Sequence, residues 1–478
     1  MHSLCYRLLG RPPIAETKVA LWNEEHPAMA MDVTVKGSKD DAFAETTGGS
    51  WGTRVFAQIS LARARMTPAD LWTGEMQRFS AAWESWKEDN ALIDFTDMIE
   101  NVVRQELCHD DSVRVAFFDE VQDFSKLELK LARMWGAGME YVVLVGDPDQ
   151  AIFEWRGASA RDFLEPEIPR ERVRVLDQSY RIPATVHRLA VDWIEQCSFR
   201  YPTEYKPREE EGIVEHLQAT SYQSPSRLAD EIETCIEREE PCMVIMSCGY
   251  MLYPLIKELR ERGVPFHNPY AQTNGRWNPL RAKGRLSSFL VSSKAAFGDN
   301  ARMWTWEEMW SWIEITASRE LLRHGAKKRI KAQAKDEHTR AMYPTPDVLE
   351  ELFAMDPWLE LCDALDSEER GADTEWLLAH TLSSRVKLLE YTSKVYQKLG
   401  VFALHSDPIV TIGTIHSVKG AEAHTVFVAP DLSKNGATQW NGEPEEKDSV
   451  IRVFYVAFTR ARHRLVLLAR GSAWGVRW

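Results

Sequence analysis

Short apolar runs that end in acidic or polar residues recur along the first half of the chain. Examples are VRVAFFDE at 113–120, YVVLVGDPDQ at 141–150 and VRVLDQSYR at 173–181. Runs of this kind predict strands that are buried on both faces of a parallel sheet. The interval between the first two suits a strand–helix–strand crossover. The polar residues at the carboxyl ends of these runs are therefore candidate functional residues.

A second alternation of strands and helices follows a Pro-containing acidic linker at 202–212. GIVEHL and CMVIMS predict strands, and the patterns at 226–238 and 251–263 predict helices. From about 271 to 405 the strand pattern disappears and long helical patterns replace it. PIVTIGTIH, TVFVAPDL and HRLVLLAR then predict strands again. A helical insertion therefore interrupts the second series.

These patterns predict the fold class α/β, with two parallel-sheet domains that each carry a helical insertion. The expected limits are 1–10 and 91–180 for the first sheet domain, 11–90 for its insertion, 181–270 and 406–478 for the second sheet domain, and 271–405 for its insertion. Four tryptophans at 304, 306, 310 and 312 are interpreted as packing within the second insertion and not as a base-stacking platform.

Composition narrows the class of protein without selecting a function. The 478 residues are 44% hydrophobic and 27% charged, which is ordinary for a globular protein. No apolar run is long enough for a membrane span and no signal peptide is evident, so we expect a cytoplasmic protein without a membrane partner. The seven cysteines contain no CxxC pair, which argues against a zinc site and a disulfide framework.

The net charge of −14 is a poor match to a protein that coats DNA by charge alone. It is compatible with a protein that holds a single strand in a local groove by base stacking. A basic run between Arg319 and Lys335 predicts either a contact with the phosphates of duplex DNA or a solvated helix face. The sequence leaves both interpretations open.

FFDEVQD at 117–123 changes abruptly from apolar to acidic. Asp119 can hold Mg²⁺ through its carboxylate oxygens. Glu120 can orient and deprotonate an attacking water. The alternative interpretation is a pair of solvated acids that close a strand.

VGDPDQAIFEWRGA at 145–158 combines a tight turn with aromatic and basic side chains. Gln150, at the turn, can hydrogen-bond a phosphate or a lytic water. Phe153, Trp155 and Arg156 suit stacking on unpaired bases. Two aromatic residues at this spacing are equally compatible with core packing.

Two arginines and one polar loop complete the candidate residues. Arg181 and Arg460 follow predicted elements and can clamp a transferring phosphoryl group, although a lone arginine is more often solvated. The loop in TIHSVKGAEAHTVFV at 414–428 places four polar or small residues between two strands: His416, Lys419, Gly420 and Glu422. Gly420 suits a close backbone approach, and Glu422 can bind a ribose hydroxyl.

Taken in order, these segments resemble the motifs of the UvrD/Rep family of superfamily 1 helicases. DEVQD resembles its Walker B motif, GDPDQAIFEWRGA its coupling motif, and LDQSYR its motif IV. TIHSVKGAE and YVAFTRAR resemble its last two motifs, MHSLCYRLL its TxHS element, and NALIDFTDMI the segment before Walker B. The resemblance runs from residue 1 to about 470. It implies two RecA-like domains, the first incomplete, with helical insertions.

The resemblance implies a role for each matching residue. For Mg²⁺ and the attacking water, the resemblance implies that Asp119 is the metal ligand and Glu120 the catalytic base. For the phosphates of ATP, it implies that Gln150 senses the γ-phosphate and that Arg181 and Arg460 are arginine fingers. For the rest of the nucleotide, it implies contacts from Glu422, Gly420 and Tyr180. On single-stranded DNA it implies contacts from Phe153, Trp155, Arg156, Thr414, His416, His2 and Ser3. It further implies 3′ to 5′ movement, with single-stranded DNA and single/double-strand junctions as partners. The sequence departs from the family where Phe153, Ser179 and Ala421 replace the usual Tyr, Asn and Leu.

The family's phosphate-binding loop, G-x-x-x-x-G-K-[ST], does not occur in the sequence. The resemblance begins inside the TxHS element, with Met1 at the place of its Thr. Strands such as VRVAFFDE would then have an unpaired edge, which favours association. We expect either an upstream polypeptide that carries the phosphate-binding loop or a truncated start. The alternative, a non-catalytic DNA-binding or partner-binding subunit, is disfavoured by five retained residues: Asp119, Glu120, Gln150, Arg181 and Arg460.

Overall fold

The computed structural model describes residues 1–32, 49–108, 112–201, 203–269, 277–282 and 284–478. Parts of both predicted insertions, at 33–48, at 271–276 and at 283, lie outside these ranges, as does Pro202 of the predicted linker. Within the described ranges, no helix combines the length and the apolar character needed to cross a membrane.

The strands, in chain order, are β1 Val115–Phe118, β2 Tyr141–Leu144, β3 Gln178–Pro183, β4 Lys206–Arg208, β5 Ile213–Leu217, β6 Cys242–Met246, β7 Val410–Thr414, β8 Ala423–Val428 and β9 Ala461–Leu468. The α-helices, in chain order, are α1 His2–Leu8, α2 Val19–Glu25, α3 Trp51–Ala64, α4 Gly74–Asp89, α5 Phe95–Arg104, α6 Lys126–Gly136, α7 Ala160–Leu164, α8 Ala184–Ile194, α9 Ser226–Glu237, α10 Tyr253–Glu261, α11 Gly284–Leu290, α12 Lys294–Phe297, α13 Trp306–Ile313, α14 Ser318–Leu321, α15 Ala326–Lys335, α16 Pro346–Leu352, α17 Met355–Asp366, α18 Ala372–Ala379, α19 Ser383–Leu399, α20 Phe402–His405, α21 Lys434–Trp440 and α22 Pro444–Phe458.

The described chain divides into two compact units. Unit 1 comprises Met1–Ala219, Ile245–Tyr250 and Thr414–Trp478, and unit 2 comprises Thr220–Val244 and Met251–Gly413. Strands β1 to β5, β8 and β9 belong to unit 1, and helices α9 to α20 belong to unit 2. The division along the chain falls within β6 and β7. The domain limits expected from the sequence stay a prediction.

The predicted α/β class is confirmed. In unit 1, β1 pairs with β2, β3 pairs with β4, and β9 lies between β5 and β8, and each of these pairs is parallel. The third expected strand is shorter than VRVLDQSYR suggested, because β3 begins only at Gln178. Its pairing with β4 joins Gln178 to Lys206 and Pro183 to Arg208. Apolar residues just before it, such as Leu176, therefore remain exposed.

One face of the β1–β2 pair is apolar and open. Val115 and Phe117 lie on this face, next to Tyr141 and Val143 of the neighbouring strand. Phe117 is 73% exposed and Tyr141 is 67% exposed. Parallel strands are normally covered on both faces, because their crossovers place helices there. These four residues, called the open β1–β2 face below, mark a surface suited to association.

Helices α2, α3 and α4 pack around an aromatic core in unit 1. The buried rings of Trp22 and Trp83 meet edge to face at 5.0 Å. The buried carboxylate of Asp94 caps α5 and accepts hydrogen bonds from Arg63 Nη1 and Lys87 Nζ, both at 2.8 Å. Burial opposes ionisation of Asp94, but these two cations outweigh it and hold its pKa at about 2. The charges therefore fasten α3 and α4 to the start of α5.

Unit 2 contains a tryptophan-rich helical core. Trp304, Trp306 and Trp312 are buried, and Trp304 Nε1 donates to the Phe289 carbonyl at 2.9 Å. Their burial agrees with the interpretation of these residues as packing. The basic side chains of α15, such as Arg329, are mostly exposed. Their contact with duplex DNA stays a prediction.

Candidate functional site

The two predicted catalytic acids directly follow β1. Glu120 has a φ of +54°, in the left-handed region. That conformation is costly for a residue with a side chain, and such strain is concentrated at functional positions. Both carboxylates are exposed, and Asp119 Oδ1 accepts the Glu120 N–H at 2.9 Å. Exposed carboxylate oxygens are the ligands that Mg²⁺ prefers.

Gln122 links the turn after β1 to the turn after β2. Its buried side chain accepts the Asp147 N–H at 3.0 Å through Oε1 and donates to the Glu120 carboxylate through Nε2. A Cβ atom at Gly146 would overlap Gln122 Oε1, so glycine is required for this approach. The predicted tight turn at Gly146 thus places Asp147 beside the acids that follow β1.

Gln150 and Arg460 meet although 310 positions separate them. Arg460 Nη2 donates to Gln150 Oε1 at 3.0 Å, and Gln150 Nε2 donates to Asp147 Oδ2 at 2.7 Å. Arg460 is buried and follows α22, where its Nε donates to the Val456 carbonyl at 2.9 Å. The amide of Gln150 is therefore held at both ends.

Arg181 lies on β3, close enough to Arg460 for the two charges to repel. Burial and then the charge of Arg181 lower the pKa of Arg460 to about 9. Arg181 Nε is buried and lacks a hydrogen-bond partner among the described residues. A buried donor without an acceptor is costly, and an anion beside Arg181 would give its Nε an acceptor and screen its repulsion from Arg460. The pair therefore fits the phosphates of a nucleotide.

Lys419 lies beside the residues just described and completes a group called the cluster below: Asp119, Glu120, Gln150, Arg181, Arg460, Asp123 and Lys419. The sequence analysis assigned Lys419 no role. Its Nζ donates to both carboxylate oxygens of Asp123 at 2.7 and 2.6 Å and to the Gln150 carbonyl at 2.8 Å. It also lies 3.5 Å from Glu120 Oε2. Burial raises the pKa of Asp123 to about 6, although Lys419 opposes the change. In the sequence, the only signals for this pair were the position of Asp123 at the end of FFDEVQD and that of Lys419 directly before Gly420.

The aromatic and basic residues after Gln150 surround Phe153. Lys419 Nζ lies 5.4 Å and Arg156 Cζ 5.8 Å from the centroid of the half-buried Phe153 ring. The Trp155 ring lies 6.2 Å from that of Phe153 and is 37% exposed. Arg156 is exposed as well. Phe153 thus supports the segment, while Trp155 and Arg156 present a ring and a charge to solvent.

His416 and Thr414 are buried beneath this segment. His416 Nε2 lies 3.2 Å from the Ile152 carbonyl, and its ring meets Phe153 edge to face at 5.8 Å. Burial lowers the pKa of His416 to about 4, so the neutral ring donates its Nε2 proton to that carbonyl. Thr414 Oγ1 accepts the Ser417 N–H at 3.2 Å. The predicted DNA contacts of both residues stay predictions.

The three predicted nucleotide contacts are close in sequence to residues of the cluster: Tyr180 precedes Arg181, and Gly420 and Glu422 follow Lys419. Glu422 is exposed and pairs with Arg462 at 2.6 Å. Gly420 has a φ of +84°, and no described atom lies within 4 Å of a Cβ placed there. The backbone conformation therefore favours glycine at this position, and the expected close approach of a ligand stays a prediction. Tyr180 is 83% exposed.

His2 and Ser3 lie on α1, and their contact with DNA stays a prediction. The His2 ring meets Phe95 of α5 edge to face at 6.4 Å. Ser3 is exposed. These two residues are placed by the helical packing of α1, whereas the cluster is placed by the turns after β1 and β2.

The described residues of the cluster fit Mg²⁺ and a nucleoside triphosphate. Asp119 and Glu120 offer exposed oxygens for a cation and for an attacking water. Gln150, Arg181 and Arg460 offer donors to phosphate oxygens. The segment that contains Gln150 also exposes Trp155. One short stretch of chain therefore offers an amide to a phosphate and an aromatic ring to an unpaired base.

Two family models match the chain. The model of the UvrD/REP helicase N-terminal domain matches residues 56–168, and that of the UvrD-like helicase C-terminal domain matches residues 361–471. The first range contains the acids after β1 and the segment through Trp155. The second range contains Lys419 and Arg460.

Characterised helicases are similar to the chain over shorter segments. It is 33% identical over 97 residues to ATP-dependent DNA helicase PcrA of Bacillus subtilis strain 168 and 30% identical over 122 residues to PcrA of Staphylococcus aureus strain Mu50. It is 26% identical over 123 residues to ATP-dependent DNA helicase Rep of Buchnera aphidicola subsp. Baizongia pistaciae. The three segments cover 20%, 24% and 24% of this chain and 13%, 17% and 18% of the respective relatives.

These segments span less than a fifth of each relative. The two family models, however, match the parts of the chain that supply every cluster residue except Arg181. The α/β fold with parallel strand pairs agrees with them. The chain belongs to the UvrD/Rep-like helicase family.

Proposed function

We propose that this chain is the larger part of an ATP-dependent DNA helicase or translocase of the UvrD/Rep type. The observation that carries the proposal is the segment from Asp147 to Arg156. At one end its Gln150 is bonded to Arg460, and at the other end it exposes Trp155 and Arg156. A change at the phosphate-facing end therefore reaches the strand-facing end through a few residues.

The acids and arginines of the cluster have complementary roles in this proposal. Bound Mg²⁺–ATP supplies the phosphoryl group whose transfer to water drives movement. Asp119 offers its oxygens to the cation, and Glu120 orients the water and takes its proton. Arg181 and Arg460 stabilise the charge on the phosphate oxygens, and Gln150 senses the terminal phosphate. Glu422, Gly420 and Tyr180 would contact the remainder of the nucleotide.

Single-stranded DNA is the proposed track, bound mainly by stacking. Trp155 and Phe153 offer aromatic rings, and Arg156 adds a nearby cation. A net charge of −14 makes local stacking more important than the overall field of the protein. Movement from 3′ to 5′ and binding at single/double-strand junctions follow from the family resemblance. Backbone contacts from Thr414, His416, His2 and Ser3 belong to the same proposal.

The phosphate cradle is proposed to come from a segment that carries the loop G-x-x-x-x-G-K-[ST], either on a second polypeptide or on a longer form of this one. Its proposed docking surface is the open β1–β2 face, whose large side chains include Phe117 and Tyr141. A parallel strand added at the edge of β1 would place its crossover helix over these side chains, and helices normally cover the faces of parallel sheets in this way. Glu120 follows β1 directly, so a strand added there would bring its loop close to the acids.

Hydrolysis of ATP tests the proposal. The purified chain is assayed for Mg²⁺-dependent hydrolysis with and without single-stranded DNA, alone and with a phosphate-loop polypeptide encoded upstream. The expected result is DNA-stimulated hydrolysis only with both polypeptides, abolished by Glu120→Gln and unchanged by Glu75→Gln on the exposed surface of α4. Equal hydrolysis by the chain alone contradicts the second polypeptide. DNA binding without hydrolysis in either case favours the non-catalytic subunit.

A further inference from the structure

The proposed strand-binding segment contains one acidic residue between its two aromatic rings. Glu154 lies between Phe153 and Trp155, and its Oε1 accepts a hydrogen bond from Arg452 Nη1 at 3.2 Å. Arg452 belongs to α22 and its side chain is buried. The ion pair therefore holds the middle of the segment against a helix that is distant in sequence.

Arg452 has a second bond that extends this attachment. Its Nη2 donates to the Phe199 carbonyl at 2.7 Å. One turn earlier on the same helix, buried Asp448 accepts the Ser198 and Phe199 N–H groups at 2.8 and 3.0 Å. Residues four apart lie on one face of a helix. One face of α22 therefore binds both Glu154 and the chain at 198–199.

The chain at 198–199 leads back to the start of the segment. Arg200 Nε donates to Asp149 Oδ2 at 2.7 Å. Asp149 is buried and precedes Gln150. The segment is thus attached to α22 at Glu154 directly and at Asp149 through Arg200.

The same helix also delivers the phosphate-facing arginine. Arg460 follows the end of α22 and bonds Gln150 Oε1 at 3.0 Å. Arg452 lies six residues before Phe458, the last residue of α22, which is about 9 Å along the helix, and Arg460 lies two residues beyond that end. A displacement of α22 relative to the segment would therefore disturb the bonds at Gln150 and Glu154 together.

Stability alone is a weak reason for this ion pair. Arg452 Nε is buried without a hydrogen-bond partner among the described residues, so the guanidinium is not fully satisfied. Burying two charges costs free energy that their attraction often fails to recover, whereas apolar side chains of similar size would hold the helix as well. The ion pair fixes the distance and the orientation between the Glu154 carboxylate and the Arg452 guanidinium. Apolar contacts would fix the distance and orientation of the two side chains less strictly.

We propose that Glu154 and Arg452 are a positioning pair that fixes the strand-binding residues Trp155 and Arg156 relative to the phosphate-facing pair Gln150 and Arg460. The proposal rests on the proposed function for the identity of the two ligands. It adds residues that act through others and touch neither ligand. It predicts that loss of the pair loosens both ends of the segment without unfolding unit 1.

The variants are Glu154→Gln, which removes the charge at constant shape, and Arg452→Lys, which keeps the charge. The control is Glu215→Gln, which breaks an exposed pair with Arg464 of 2.6 Å in the same unit. The first readout is amide hydrogen exchange of the chain alone. In Glu154→Gln we expect exchange about tenfold faster at 150–157 and at 458–461 than elsewhere in unit 1. Its thermal midpoint should lie below that of the control, because buried Arg452 loses its counter-charge, but the unit should remain folded at the temperature of the measurement. In Arg452→Lys we expect a smaller increase.

The second readout is the Kd for a single-stranded oligothymidylate, measured by fluorescence anisotropy. We expect Glu154→Gln to raise it about tenfold, within the range of one lost stacking contact. Double replacement with Arg452→Gln should add little, because both changes break one pair. Wild-type exchange and affinity in Glu154→Gln would overturn the proposal. Faster exchange in a chain whose wild type does not bind the strand would uphold the pair and reject the proposed function.

Discussion

Arg460 Nη2 donates a hydrogen bond of 3.0 Å to Gln150 Oε1 and so joins two turns from opposite ends of the chain. Gln150 is bonded in turn to Asp147, and Arg460 lies near Arg181. The bond places the guanidinium of Arg460 against the amide of Gln150, the proposed phosphate sensor. Geometry of this kind is sensitive to the shape of the cation as well as to its charge.

Arg460→Lys should therefore impair hydrolysis in the ATP-hydrolysing assembly. Lysine keeps the charge but loses the planar fork that bonds Gln150 and that is proposed to reach a phosphate as well. We expect kcat to fall about 1000-fold, within the range for arginine fingers, with a smaller change in KM. Arg464→Lys, at the exposed pair with Glu215, is the matched control. An unchanged kcat would remove Arg460 from the phosphate site.

Trp155→Ala should weaken binding of single-stranded DNA. Stacking of a base on an aromatic ring contributes about 1–3 kcal/mol, so the Kd should rise about 5- to 150-fold, and Trp155→Phe should retain most of the affinity. Trp474, also exposed in unit 1, provides the control Trp474→Ala. The measurement is anisotropy of a labelled oligothymidylate at fixed salt. Equal affinities for both alanine variants would exclude Trp155 from the strand site.

Lys419→Met should destabilise unit 1, because it leaves the carboxylate of Asp123 without its cation. Breaking a buried pair from one side typically costs about 3 kcal/mol, and Asp123 is largely but not fully buried. The double variant with Asp123→Asn should lose less than the sum of the two single losses. Denaturant unfolding of all four proteins gives the coupling energy. Additive losses would show that the two side chains do not act as a pair.

His416 should make the protein less stable in acid. Its pKa falls from about 6.5 to about 4 on burial, so the unfolded chain binds a proton more tightly than the folded one. Its contribution is complete above pH 6.5, and about 3 kcal/mol is lost as the pH falls to 4. The raised pKa of Asp123 has the opposite sign, because its contribution is lost as the pH rises from about 4 to about 6.

Comparison with His416→Gln separates the two contributions, since the amide can still donate to the Ile152 carbonyl. The difference in unfolding free energy between the wild type and this variant should shift by about 3 kcal/mol towards the variant between pH 7 and pH 4. A pH-independent difference would mean that His416 is not held neutral by burial.

Phe117→Ser should reduce self-association without lowering stability. The side chain is 73% exposed on the open β1–β2 face, so its removal creates no cavity in the described structure. Light scattering of the chain alone should show less aggregate at an unchanged thermal midpoint. The same change should weaken binding of the phosphate-loop polypeptide, whereas Leu71→Ser, at an exposed leucine elsewhere in unit 1, should not. Equal effects of the two variants would exclude this face as the docking surface.

Much of the site was predictable because its elements are local. The apolar runs predicted β1 and β2, and the acids, Gly146 and Gln150 follow them directly in the chain. Helical patterns and further apolar runs similarly predicted the helices of unit 2 and the strands β7 to β9. These features depend on residues that are close in sequence, so the pattern of apolar and polar positions along the chain predicts them.

By itself, the sequence determined the α/β class, the family and the candidate residues. Only the tertiary structure decided which of them meet: Arg460 with Gln150, Lys419 with Asp123, and Arg452 with Glu154. It also decided that His416 is buried and that the open β1–β2 face is not. Each of these pairs joins residues that are far apart in the chain, and burial depends on everything packed around a side chain. Neither is recorded in the spacing of residues along the chain.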